Sequence, residues 1–75
     1  MKSFKLNYWQ ECYYSDERIE LLYGMTKGTI FKDGSMTISG GTISVTFWYH
    51  LINEAMAIYI YYGHNNTDKH PSKIS

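Results

Sequence analysis

The sequence predicts an all-β domain, an antiparallel meander of five or six strands closing into a small barrel or sandwich. Three observations predict it. Asp33-Gly34 and Gly40-Gly41 are two-residue hairpin signals, because a type I′ turn needs φ > 0 at both central positions. Strands paired outward from these turns set Phe31 against Met36, Ile38 against Ile43 and Met36 against Val45, each apolar on apolar. A third hairpin centred on Ile52-Asn53 sets Tyr49 against Met56, Phe47 against Ile58 and Val45 against Ile60. A slip of one residue turns a strand's apolar set to its other face, so three turns agreeing on one face carry weight.

The elements follow in order. Lys2 to Tyr14 alternates as a long first strand, with Phe4, Leu6, Tyr8, Gln10, Cys12 and Tyr14 on one face and Trp9 and Tyr13 on the other. Its length predicts a bulge or bend near Trp9 to Glu11. Ser15 to Gly24 reads in two ways. Ser15-Asp16-Glu17 is a hairpin loop followed by a strand to Met25, with Ile19, Leu21 and Tyr23 on one face. Alternatively, Ser15 is an N-cap, Gly24 a C′ residue, and the domain is α+β with one short helix at about 15–24. The strand is preferred, since a two-turn helix is weak alone. Strands follow at about 27–32, 35–39, 42–50 and 54–62. Residues 1–62 form the single β-rich domain. Residues 63–75 are polar with one aliphatic side chain, Ile74, and are expected to be a loose tail.

In this register the core face carries Phe31, Met36, Ile38, Ile43, Val45, Phe47, Tyr49, Met56, Ile58, Ile60 and Tyr62. Phe4, Leu6 and Tyr8, with Ile19, Leu21 or Leu22, and Tyr23, are left to cover it. The opposite face alternates Ser35, Thr37, Ser39, Thr42, Ser44 and Thr46, then breaks the pattern at Trp48. Trp48 falls opposite Ala57, Thr46 opposite Tyr59 and Ser44 opposite Tyr61, so a small residue sits beside each ring. Trp and Tyr combine area with a hydrogen-bonding tip and suit interfaces. Trp48, Tyr59, Tyr61, Thr46 and Ser44, with His50 at the strand end, are the candidate partner- or ligand-binding residues. The competing reading is that these are good strand formers covering a sheet.

Composition bounds the function. Seventy-five residues make one small domain with a marginal core, for which a second subunit is physically attractive. Seven basic and seven acidic residues cancel, which argues against a grip on duplex nucleic acid. No run approaches the roughly 20 apolar residues of a membrane helix, and the alternating N-terminus is no signal peptide, so the expected location is cytoplasmic. The single Cys12 excludes an internal disulfide and reads as a small apolar filler. His64, Asp68 and His70 match no zinc spacing, and Asn65-Asn66-Thr67 is a formal glycosylation sequon without a secretory context. Glycines sit at turns, not in a phosphate loop, and no nucleophile, base and orienting group assemble. The expectation is a non-enzyme without metal or cofactor.

The leading functional expectation is a small inhibitor or adaptor that occludes a partner protein through the aromatic-polar sheet face. Eight Tyr, eight Ile and six Lys beside two Ala and one Arg suggest AT-rich coding, as in phage or mobile-element genes of the anti-defence type. A second expectation is an oligomeric protein sequestering a nucleotide-like ligand, with Arg18, Lys27 or Lys32 lining the pocket. A third is a structural homo-oligomer, a homodimer through the Trp48 face.

Overall fold

The computed structural model describes residues 4–65 and 72–74. Four short strands run as an antiparallel meander: β1 (Glu11–Tyr14), β2 (Arg18–Tyr23), β3 (Thr26–Phe31) and β4 (Met36–Ser39). One helix, α1 (Val45–Asn65), follows, and a three-residue strand β5 (Ser72–Ile74) pairs antiparallel with β1. The sheet order is β4-β3-β2-β1-β5, an open sheet and not a barrel. The protein is α+β.

Ser15 to Gly24 folds as the preferred reading has it. Tyr14 pairs with Ile19, and the Ser15 and Arg18 backbones bond across a tight turn at Asp16-Glu17. Ile19 and Leu21 point inward and are buried. The strand at 35–39 also stands, as β4. The alternative of a helix at 15–24 is wrong in place: the helix lies thirty residues later.

The predicted strands at 42–50 and 54–62 and the hairpin at Ile52-Asn53 are replaced by α1. The start signal was present. Ser44 Oγ accepts the Phe47 N–H at 3.2 Å, and the Ser44 carbonyl accepts the Trp48 N–H at 2.9 Å. The middle of the segment, Leu51 to Ala57, is rich in helix formers: Leu, Glu, Ala, Met and Ala. Phe47, Leu51, Ala55, Ile58 and Tyr62 recur at helical spacing and face the core, with Glu54 on the same side toward residues 7–9. A segment apolar on every side satisfies a period of two and a period of 3.6 equally, so alternation alone cannot decide it.

The Asp33-Gly34 turn is real, but its loop is one residue longer than a two-residue hairpin. Phe31 and Ser35 bond at 2.8 Å, and Ile30, not Phe31, pairs with Met36. Gly34 takes φ 92°, the left-handed position of a three-residue loop. Asp33 Oδ1 accepts both the Ser35 N–H and its hydroxyl, which holds the Asp33 carboxyl below its usual range. The extra residue turns Ile30 into the core and leaves Phe31 41% exposed. Gly40 and Gly41 take φ 90° and 75°, but they lead into the helix and not into a returning strand. A Cβ on Gly40 would collide with the Met25 carbonyl oxygen, so glycine is required there by space as well as by φ.

Cys12, Leu21, Gly28 and Ile38 line up across the sheet, as do Tyr14, Ile19, Ile30 and Met36. This inner face packs on Leu51, Ala55, Ile58 and Tyr62 of α1. The first segment is strand only from Glu11. It bends at residues 7–8 and 10, and Phe4, Leu6 and Tyr8 pack partly buried against the core as expected. Trp9, expected opposite them, is almost fully buried, because residues 4–9 do not follow strand alternation. Of the expected core, Phe31, Val45, Tyr49, Met56 and Ile60 are exposed. Of the expected tail 63–75, residues 63–65 end α1 and 72–74 form β5; the remaining positions, His70 and Asp68 among them, lie outside the described residues.

Candidate binding surfaces

The six candidate residues do not share a surface. Positions 44, 46, 48 and 50 lie on one sheet face only if the segment is a strand; in a helix each step of two turns the side chain by about 200°. Ser44 caps α1. Thr46 is exposed and Trp48 half-buried. His50 stacks on Tyr8, with ring centroids 4.6 Å apart and planes 5° from parallel, and meets Phe47 edge-on. Tyr59 is half-buried, and its hydroxyl donates to the Lys32 carbonyl at 3.0 Å. Tyr61 packs edge-on against Phe4 and Tyr62.

Glu54 carries the structural role that the sequence did not reveal. It is the only Asp, Glu, Lys or Arg in the 21 residues of α1 and is 7% exposed. Its carboxylate faces the N-terminal segment and accepts three successive backbone N–H groups. Asn7 donates to Oε2 at 2.6 Å, and Tyr8 and Trp9 donate to Oε1 at 2.9 and 2.8 Å. Charge-assisted bonds of this kind offset the cost of burying the carboxylate. Beside them, Trp9 Nε1 donates to the Leu51 carbonyl at 2.9 Å. Glu54 therefore pins residues 7–9 to the helix and is not available as a partner for His50. A lone acid inside a long uncharged helix was the signal that could have found it.

Cys12 is enclosed beneath α1. Burial first, and then the nearby Glu54 carboxylate, pushes its thiol from 9.0 up to about 12. Burial, with Cys12 and Tyr61 nearby, pushes the Tyr62 phenol from 10.0 up to about 12. Both acids keep their protons in the folded chain at pH values where the unfolded chain has lost them. Their contribution to stability is complete below about pH 9 and is lost as pH rises toward about 12. Urea midpoints should fall steadily above pH 9. At pH 8 a disulfide reagent should label Cys12 only in denaturant; fast native labelling would contradict the burial.

Two features remain open to a partner. The first is the outer face of α1. Val45, Tyr49, Met56 and Ile60 are 73%, 62%, 49% and 59% exposed, with Ile52 half-buried between them. These positions recur every three or four residues and form one strip. The second is a cavity of about 230 Å3 where the β1–β2 turn and the end of β3 meet the C-terminal half of α1. Arg18, Phe31, Lys32, Tyr59 and Tyr62 line it, with Asp16 at the turn. Arg18 Nε donates to Glu20 at 2.7 Å. Among the described residues no group of three His, Cys, Asp or Glu is placed to hold a metal ion, and no helix is long and apolar enough to cross a membrane. No protein-family model, curated protein or solved structure matches the chain.

Proposed function

We propose that the chain is a non-enzymatic protein-binding module, an inhibitor or adaptor that works by covering a protein surface, and that its contact surface is the outer face of α1. One observation carries this reading: the helix is uncharged all round, since its single charged residue is turned inward. A helix with apolar strips on two opposite sides is normally covered on both, and the sheet covers only one of them. Among the described residues, four of the seven exposed large apolar side chains lie along this strip. The proposed contact surface thus moves from an aromatic-polar sheet face to a mostly aliphatic helix face. Trp48 flanks it, while His50, Tyr59 and Tyr61 serve packing. The origin in a phage or mobile element remains part of the proposal on composition alone.

Met56→Glu tests the reading, because it places a charge in mid-strip at a site with room for it. The variant should fold with an unchanged circular dichroism spectrum and lose binding to a wild-type partner by about tenfold or more, as expected at the centre of an interface. Full retention of every partner would refute this surface.

The cavity favours a second reading, the sequestering of a nucleotide-like ligand. Arg18 and Lys32 could meet its anionic end, and Phe31 and Tyr59 its ring. Lys27, the third cation expected there, does not line it. Adenosine monophosphate should raise the melting temperature of the wild type and not of Arg18→Ala.

A further inference from the structure

Resting on the reading of the α1 outer face as the contact surface, we infer that its occupant in the free protein is a second copy of this chain, packed helix against antiparallel helix about a two-fold axis near Ile52-Asn53.

Three features of the strip select this occupant. The first is charge. An exposed protein partner of ordinary composition brings charges to its rim, and a membrane-surface helix brings Lys or Arg on its polar side. The strip offers neither pairing: α1 contains no Lys or Arg, and Glu54 is spent on residues 7–9. An equally uncharged strip fits it without desolvating an ion, and the chain itself carries one.

The second is symmetry. The exposed side chains are arranged evenly about Ile52-Asn53, with Tyr49 and Met56 one step out and Val45 and Ile60 at the ends. An isologous interface requires that if one residue meets a second, the second meets the first. Crossing two copies at Ile52-Asn53 sets Tyr49 beside the partner's Met56 and Val45 beside the partner's Ile60, and the reverse contacts follow. Thioether against ring is a favourable pairing. The same pairs, Tyr49 with Met56 and Val45 with Ile60, gave the apolar agreement of a hairpin in the sequence. They are not made within the chain, where α1 holds both members on one helix.

The third is area. Val45 to Ile60 spans about 22 Å at 1.5 Å per residue. If the four exposed side chains each lose on the order of 100 Å2 and half-buried Ile52 about half of that, the two copies together cover about 900 Å2, the size of weak, reversible interfaces. Interfaces of this size are at the weak end of specific association, so the dimer is expected to form at high chain concentration. A foreign partner on the same face would have to displace the copy.

Sedimentation velocity tests this. The wild type at about 100 μM, a high chain concentration, should sediment at twice the 8.8 kDa chain mass. Met56→Glu and Val45→Lys should each weaken the dimer by about tenfold or more. The double variant Val45→Lys/Ile60→Glu should recover association relative to Val45→Lys, because the antiparallel pairing joins the two charges across the axis. They lie too far apart along one helix to join within a chain. Near-ultraviolet circular dichroism of buried Trp9 confirms that each variant is folded. A wild type monomeric at this concentration overturns the inference; if Met56→Glu then loses a foreign partner, the contact surface itself stands. A dimer untouched by Met56→Glu lies on another face and overturns the inference alone. A double variant weaker than either single overturns the antiparallel arrangement.

Discussion

Glu54→Leu is expected to cost the chain about 3–5 kcal/mol, a large part of its stability. The substitution is close in size and removes a buried charge, so a contact count would predict little harm. The loss comes from the other side of the interaction. The N–H groups of Asn7, Tyr8 and Trp9 converge on the two carboxylate oxygens at 2.6 to 2.9 Å, and Leu offers them no acceptor. The Trp9 N–H is buried and those of Asn7 and Tyr8 part-buried, so at about 1–3 kcal/mol for a buried donor left unpaired, and less where water reaches it, the three together cost about 3–5 kcal/mol. A domain of this size has on the order of 4–11 kcal/mol to lose. Glu54→Gln separates geometry from charge. Its carbonyl oxygen can keep Tyr8 and Trp9, while its amide would face the Asn7 N–H donor to donor. An intermediate loss of about 1–3 kcal/mol is expected, seen as a melting temperature lower by roughly 4–8 °C per kcal/mol. Equal stability of all three proteins would show that residues 7–9 are not held through Glu54.

Trp9→Ala should cost nearly as much, about 3–5 kcal/mol, because a fully buried indole leaves a cavity the surroundings fill only in part. The same ring explains why residue 28 is glycine. A Cβ on Gly28 would lie 2.9 Å from Trp9 Cη2 and 3.2 Å from Cζ2, so the indole rests directly on the β3 backbone. The two sites must therefore couple. Gly28→Ala in the wild type forces the ring to shift and should destabilise by about 1–3 kcal/mol. In a Trp9→Leu background, Ala has room, and its smaller chain entropy favours the strand by about 0.5–1 kcal/mol. A double-mutant cycle from urea melts should show a coupling of about 1 kcal/mol or more. Additive costs would mean that the ring does not sit on Gly28.

Local rules read the meander well wherever one face is buried and the other is wet. Ile19 and Leu21 inside with Arg18 and Glu20 outside favoured the strand over the short helix that the same residues also allowed. The Asp33-Gly34 turn was equally legible in place, but not in loop length, and one extra residue was enough to exchange Ile30 and Phe31 between core and solvent. The candidate site was misread for a related reason. Trp48 breaks a Ser/Thr alternation only if the alternation is a strand, and with α1 in its place Ser44 becomes a cap and His50 a stacking partner for Tyr8.

Local chemistry alone, then, set the chain reversal at Asp33-Gly34, favoured one at Asp16-Glu17, and left residues 45–62 mostly apolar with a single acid. Turn glycines and hydrophobic content act locally, over a few residues, and need no partner. Only the tertiary structure decided that those apolar residues form a helix, which side of it meets the sheet, and that Glu54 and Trp9 fasten the N-terminal segment across it. The reason is that a segment apolar on both periods has no preferred face until another surface buries one, and that the amides Glu54 satisfies lie more than forty residues away along the chain.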